Sequence, residues 1–261
     1  MIKKYSPEEL AGPQLHKFIL GSIAPRPIAF ASTIDKDGNP NLAPFSFFNA
    51  FGINPTTLIF SPSRRGRDNT TKHTYQNVKE VPEVVINVVN YEIVQQASLA
   101  STEYEKGVNE FIKAGFTPLP SETIRPFRVK ESPVQFECLV RDVIETSDRG
   151  GSANLVICEI TMIHFHENIL GENGLPHPEK IRLVGRHVGD YYVKAFGESL
   201  FEVEKPLARK GIGIDNLPEK IKFSKVLTGN DLGRLGNVEE LPGTDSILKI
   251  KSEKEVQGLC S

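Results

Sequence analysis

The densest chemistry in this chain lies between residues 61 and 79, SPSRRGRDNTTKHTYQNVK. Arg64, Arg65, Arg67, Lys72 and Lys79 stand there against one acid, Asp68, although the whole chain carries a formal net charge of -2. Hydroxyls on Ser61, Ser63, Thr70, Thr71 and Thr74 are interleaved with the cations, and Gly66 lets backbone approach a ligand closely. Guanidinium and ammonium groups supply charge to a phosphate, while hydroxyls and amides reach its remaining oxygens. Thr70 or Thr71 is expected to cap a helix running through residues 75–78, aiming its first amides at the anion. A solvated basic loop is the alternative that residue types alone leave open. No Gly-x4-Gly-Lys-Ser/Thr or Gly-x-Gly-x-x-Gly motif is present, so the phosphate is expected outside a P-loop or Rossmann unit.

Three further segments carry groups suited to a flat, anionic ligand. Arg26 sits between Pro25 and Pro27, where each proline restricts the backbone, so its guanidinium is presented with little freedom. Residues 41–49, NLAPFSFFN, read as a strand that Pro44 interrupts, which places the stretch at an edge or a bulge. Amides freed there suit the polar rim of a heterocycle, with Ser46 and Asn49 as polar side chains and Ala43, Pro44 and Phe45 against its face. Residues 183–192 gather Arg186, His187, two glycines, Tyr191 and Tyr192, groups that stack on and hydrogen-bond to a planar ligand. A rigid turn, a kinked core strand and a helix start at a subunit interface are the respective plain readings.

Other chemistries find less support. His164 and His166 share one strand face, but no third ligand completes a metal site, and none is expected. No Gly-x-Ser-x-Gly elbow marks a serine hydrolase. Cys138, Cys158 and Cys260 are too few and too scattered for a disulfide framework or zinc knuckle, and are read as packing residues or tail.

Several elements must position these groups. At 261 residues, 39% hydrophobic and 25% charged with mixed sign, the chain can bury a normal core. Near-balanced charge gives no footprint for nucleic acid. The lack of a long apolar run or leader points away from a membrane and toward the cytoplasm. Ser6 and Glu9 form a capping box for a short helical lead-in. Residues 27–33 and 41–51 flank a turn signal at 35–39 and read as a hairpin; residues 56–61 and 83–90 read as buried strands. Helical spacing runs through residues 91–115, with Gly115 as the stop.

Residues 134–146 and 154–166 form a long hairpin closed by 147–152. Val134, Phe136, Cys138 and Val140 share its inner face, and Gln135, Glu137 and Arg141 its wet one. At least six hairpin-linked strands with small helical inserts predict a mainly β protein, a β-barrel rather than βαβ units. Residues 200–261, rich in glycine, proline and charge, are expected to be an irregular C-terminal extension of a barrel domain spanning 1–199, packed on it or on a neighbouring subunit.

Taken together, these segments resemble the flavin reductase-like, FMN-binding split β-barrel family. The resemblance lies in Pro25-Arg26-Pro27-Ile28-Ala29 with Ser32-Thr33, Asp37-Gly38 and Asn41 to Asn49, and Asn54-Pro55. It continues through Lys72-His73-Thr74-Tyr75-x-Asn77 before Val84-Val85-Ile86-Asn87, to Gly185-Arg186-x-x-Gly189-Asp190-Tyr191-Tyr192. It implies a six-stranded antiparallel Greek-key split barrel that forms a homodimer, with FMN at or near the subunit interface. Residues 43–49 would lie along the isoalloxazine and ribityl chain. Ser61, Ser63, Lys72 and Thr74 would contact or surround the phosphate, and Arg67 and Arg26 are further candidates for binding the cofactor. Many relatives carry Asp where this chain has His73.

The implied activity is hydride transfer from NAD(P)H to flavin or onward to an acceptor, with Arg186 and Tyr191 toward the nicotinamide substrate. Hydride delivery needs no general acid or base, so no catalytic side chain is assigned. An FMN-binding electron carrier without nicotinamide turnover, and a barrel holding another phosphorylated ligand, are the alternatives.

Overall fold

A computed structural model describes residues 1–206 and 210–252; Cys260 and the rest of the tail lie outside the described residues. At the N-terminus the Ser6–Glu9 capping box is present, but on a single 3-10 turn, Pro7–Glu9; the helix proper, α1 (Gly12–Ser22), starts beyond it. The turn signal then works as its composition demands. Strands β1 (Ala29–Ile34) and β2 (Pro40–Phe45) pair antiparallel across residues 35–39. The Asp35 carboxylate accepts from the amides of Asp37 (3.0 Å) and Asn39 (2.9 Å), an Asx-type closure, while Gly38 takes φ +87°.

The expected partner strand at 41–51 is split in two. Its ladder with β1 ends at Phe45, just after Pro44, and Ser46 and Phe47 lead into β3 (Phe48–Ile53). β3 pairs instead with β4 (Thr56–Phe60), and the main sheet runs β2-β1-β5-β8-β9-β4-β3, so β2 and β3 are its two opposite edges. This split makes the main sheet seven-stranded, where six strands were expected. Its other members are β5 (Glu83–Val88), β8 (Val134–Glu145) and β9 (Asn154–Phe165), and every pairing is antiparallel. Between them lie α2 (His73–Glu80), α3 (Val94–Leu99) and α4 (Glu110–Ala114), then the short pair β6 (Pro118–Leu119) and β7 (Arg128–Val129). The helical spacing of 91–115 thus resolves into two helices, the second ending on Gly115 at φ +69°. After β9 come α5 (Pro178–Ile181) and the pair β10 (Val184–Arg186) and β11 (Tyr192–Lys194).

β1 is buried along its whole length because both faces are covered. Ala29 and Ala31 join Phe60, Ile86, Cys138 and Val156 in one core, while Phe30 packs with Leu42, Phe111 and Phe116 beneath α3 and α4. Two-sided burial explains its apolar run without alternation. β8 departs from the expected one wet face: Gln135 and Glu137 are buried, because the β6–β7 excursion folds back over them. Cys138 and Cys158 are free and buried, and burial pushes both thiols well up, so they behave as packing residues.

The chain divides into two compact units, residues 1–200 and 201–261. In the second, α6 (Glu219–Lys222), α7 (Gly229–Leu235) and α8 (Thr244–Lys251) are short, with α7 capped by Thr228 through a box with Asp231. Leu217 is buried there, whereas Phe201, Val203, Phe223 and Val226 are exposed. Among the described residues, no helix is long and apolar enough to cross a membrane.

Candidate functional site

The basic loop is folded on itself before any ligand is considered. Arg64 holds the loop tip, donating from Nε to Asn69 Oδ1 (2.8 Å) and from its terminal nitrogen to the Asn69 carbonyl (2.9 Å). Asn69 in turn donates to the Asp148 carbonyl (2.9 Å), and the Arg64 amide donates to the Ser152 carbonyl (3.0 Å). The tip of the β8–β9 hairpin therefore fixes a loop whose own sequence is too polar to pack. Arg65 donates to the Thr71 carbonyl (2.7 Å) and to Thr70 Oγ1 (3.0 Å). Thr70 and Thr71 serve this loop instead of capping α2, whose N-cap is Lys72, with no side-chain cap.

Loop and strand break meet at a cleft of about 440 Å³. Pro44, Phe45, Ser46 and Phe47 line it together with Ser61, Ser63, Arg67 and Lys72, and the Ser61 amide donates to the Phe47 carbonyl (2.9 Å). The Ser61 and Ser63 hydroxyls lie 3.2 Å apart, and Ser61 Oγ accepts the Asn154 amide of β9. A second cavity of about 180 Å³ shares Pro44, Phe45 and Ser46 with the first and is bordered by Ser98, Ser101, Arg186 and Tyr192. Arg186 stacks its guanidinium 4.7 Å over the Tyr192 ring, whereas Tyr191 is 75% exposed and outside the cavity lining.

Several expected contacts point elsewhere. Arg26 is buried and donates to the carbonyls of Leu20 (2.8 Å), Ile23 (2.7 Å) and His187 (3.0 Å), and weakly to Ser46 Oγ (3.4 Å). Burial lowers its pKa, and the nearby Arg186 charge adds to that. It ties α1, the β2–β3 break and the exit of β10 into one frame, and its backbone pairs both ways with Arg186. Gly185 makes this approach possible, since a Cβ there would stand 2.5 Å from Pro25 Cβ. Thr74 is buried and accepts from Asn41 Nδ2 (2.9 Å). Ala43 is half-buried in β2 opposite Ala31, and Asn49 is exposed on β3, its own Oδ1 accepting the Ala50 amide. His164 donates to or accepts from Glu137 at 2.7 Å. Among the described residues no group of three or more metal-ligating side chains converges.

One residue in the cleft escaped the sequence reading. Glu103, on the loop between α3 and α4, receives Arg65 Nε at 3.0 Å, Lys72 Nζ at 3.2 Å, and Arg67 on its other oxygen. The Arg65 hydrogen bond, with those of Lys72 and Arg67, holds its carboxyl at about 2 against the opposing effect of burial. Burial, then Arg65, Lys106 and Lys72, lower the His73 pKa, which favours the neutral imidazole beside this cluster. Three cationic heads able to converge on one carboxylate, with a serine pair close by, fit the anionic end of a phosphorylated ligand, and the Pro44–Phe47 wall fits a flat ring.

A family model described as flavin reductase like domain matches residues 20–183. An uncharacterised protein of Aquifex aeolicus is 41% identical over 196 residues, 75% of this chain and 97% of that protein. Nitrilotriacetate monooxygenase component B from Bacillus cereus superposes with a TM-score of 0.72 at 28% identity, covering 78% of this chain and 99% of that one. A split-barrel-domain protein of Shewanella frigidimarina superposes with a TM-score of 0.65 at 25% identity, covering 78% and 99%.

Proposed function

We propose, from the premise that this chain belongs to the flavin reductase-like domain family, that it is an FMN-binding oxidoreductase moving electrons from NADH or NADPH to flavin or onward to an acceptor. The observation that carries this is the convergence of Arg65, Arg67 and Lys72 beside the Ser61–Ser63 pair, in a cleft that Pro44 to Phe47 also line. Bound FMN supplies the two-electron chemistry; the protein holds and orients it. Arg65, Arg67 and Lys72 would hold the phosphate, with the serine hydroxyls for its remaining oxygens, and the Pro44–Phe47 segment would hold the ring and ribityl chain. Arg186, braced on Tyr192, borders the second cavity, where the nicotinamide or the acceptor is received. Arg26 acts through that frame as a positioning residue, fixing Ser46 and the chain beside Arg186.

The same reading takes the sheet as a closed Greek-key split barrel, because its two edges, β2 and β3, are joined by only Ser46 and Phe47. It also takes the protein as a homodimer. Edge strand β3 exposes Phe51 (65%) and Ile53 (85%), apolar surface that a second copy would cover.

Titrating FMN by fluorescence quenching tests the site. Replacing Lys72 and Arg67 together by Ala is expected to weaken FMN by about 2–4 kcal/mol while leaving riboflavin unaffected. Unchanged FMN affinity would remove the phosphate from this cleft. Anaerobic NAD(P)H oxidation no faster than with free flavin would defeat the reductase activity.

A further inference from the structure

The cleft already contains an anion of its own. Arg65, Arg67 and Lys72, the cations assigned above to phosphate, all direct N–H groups at the Glu103 carboxylate. The N–H groups aimed at the carboxylate are not free for a phosphate, and two anions on the same three heads repel. We propose that Glu103 is an affinity-setting residue of the flavin site, an internal stand-in that the flavin phosphate must displace, so that FMN is held loosely enough to exchange. This inference rests on the FMN reading above and assigns to the site a flavin that turns over as a ligand.

Four features make displacement, rather than permanent pairing, the expected behaviour. The hydrogen bonds to the Glu103 carboxylate come from long cationic side chains, not from backbone amides, so Arg67 and Lys72 can re-aim with the ligand while Arg65 stays held by Thr70 and Thr71. Its side chain is 35% exposed. The backbone beneath it is held independently by local turns: Ser101 N to Ser98 O at 3.0 Å, Thr102 Oγ1 to Leu99 O at 2.8 Å, and Tyr104 N to Thr102 O at 2.9 Å. The side chain can therefore leave without unfolding the loop. Finally, a phosphomonoester brings close to two negative charges and three acceptor oxygens, against one charge and two oxygens on the carboxylate. A dianion outcompetes Glu103, whereas a ligand without the phosphate gains nothing from the cations. The stability that Glu103 gives the empty cluster is lost on binding, which weakens FMN and speeds its release.

The Glu103 loop also reaches the second cavity, since Ser101 on that loop borders it beside Ser98 of α3. Exit of the carboxylate thus takes place on the segment that touches both halves of the site.

The test compares wild-type full-length protein with Glu103→Gln and Glu103→Ala, each checked for a cooperative thermal melt. FMN and riboflavin are titrated by fluorescence quenching, and FMN release is followed by stopped flow. Removing the competing charge is expected to tighten FMN about tenfold, chiefly through slower release, with riboflavin changed less than twofold. If wild type binds FMN and both variants bind it no tighter, Glu103 does not compete and the proposal fails. Equal tightening of riboflavin would also overturn it, since the effect would then lie away from the phosphate. If neither wild type nor variants bind FMN, the FMN reading itself falls, and this inference with it.

Discussion

Glu103 and Glu137 are both carboxylates gathered into a cluster of donors, yet the donors differ in kind. Glu137 on β8 has no exposed side-chain surface and accepts from the amides of Glu122 (2.8 Å) and Thr123 (2.7 Å), the Thr123 hydroxyl (2.7 Å) and His164 (2.7 Å). Glu103 is a third exposed and is held by the ends of three flexible cations. Burial alone would raise the Glu137 pKa, but the amides of Glu122 and Thr123 and the Thr123 hydroxyl bring it below the ordinary carboxylate value. Backbone donors belong to the fold and cannot turn elsewhere, so Glu137 pins the 118–129 excursion onto the sheet. Side-chain donors can be shared with an incoming ligand. The nature of the donor separates a carboxylate built to stay from one built to be replaced.

That comparison can be broken most directly at Glu137. Glu137→Ala removes the buried acceptor of the Glu122 and Thr123 amides, the Thr123 hydroxyl and His164, and should cost about 3 kcal/mol in urea unfolding. A loss below about 1 kcal/mol would mean that the excursion is held by something else. Thr123→Val removes the hydroxyl donor but keeps the amides, so about 1 kcal/mol is expected by the same measurement. Glu103→Gln, with its partners in solvent reach, should change stability at pH 7 by no more than about 0.5 kcal/mol.

Acid sharpens the contrast further. The folded pKa of Glu103 lies near 2, below the unfolded value of about 4.3. Its stabilising effect is therefore complete above the unfolded value and disappears as pH falls toward 2. Wild type and Glu103→Gln should converge in melting temperature over that window; curves that stay parallel would place the Glu103 charge outside the cluster.

Much of the framework was readable from local pattern. The Asp35–Asn39 turn, the strand break beside Pro44, the Gly115 stop and the long β8–β9 hairpin each follow from residue types a few positions apart. So did part of the cleft: Pro44, Phe45, Ser46, Ser61, Ser63, Arg67 and Lys72 line it together. Other positions take surroundings from far along the chain, which local pattern does not show. Gln135 and Glu137 have the alternation of a wet face, yet residues 118–129 return to cover them. Thr74 has the hydroxyl for a phosphate but faces inward to Asn41, because α2 starts at His73 and not at Thr70. Arg26 has the preorganised guanidinium, but the backbone carbonyls at the end of α1 and after β10 take up its donors.

Alone, the chain of residues determined the periodicities, the turns and an excess of positive charge between residues 61 and 79. Those are properties of neighbours, set by sterics and by which side chains sit within one turn or one hairpin. Tertiary structure decided what faces that charge. Glu103 lies 31 positions beyond Lys72, and nothing in its own surroundings marks it. Coulombic pairing depends on distance in space, and only the crossing of the α3–α4 loop over the basic loop brings the carboxylate to the cations.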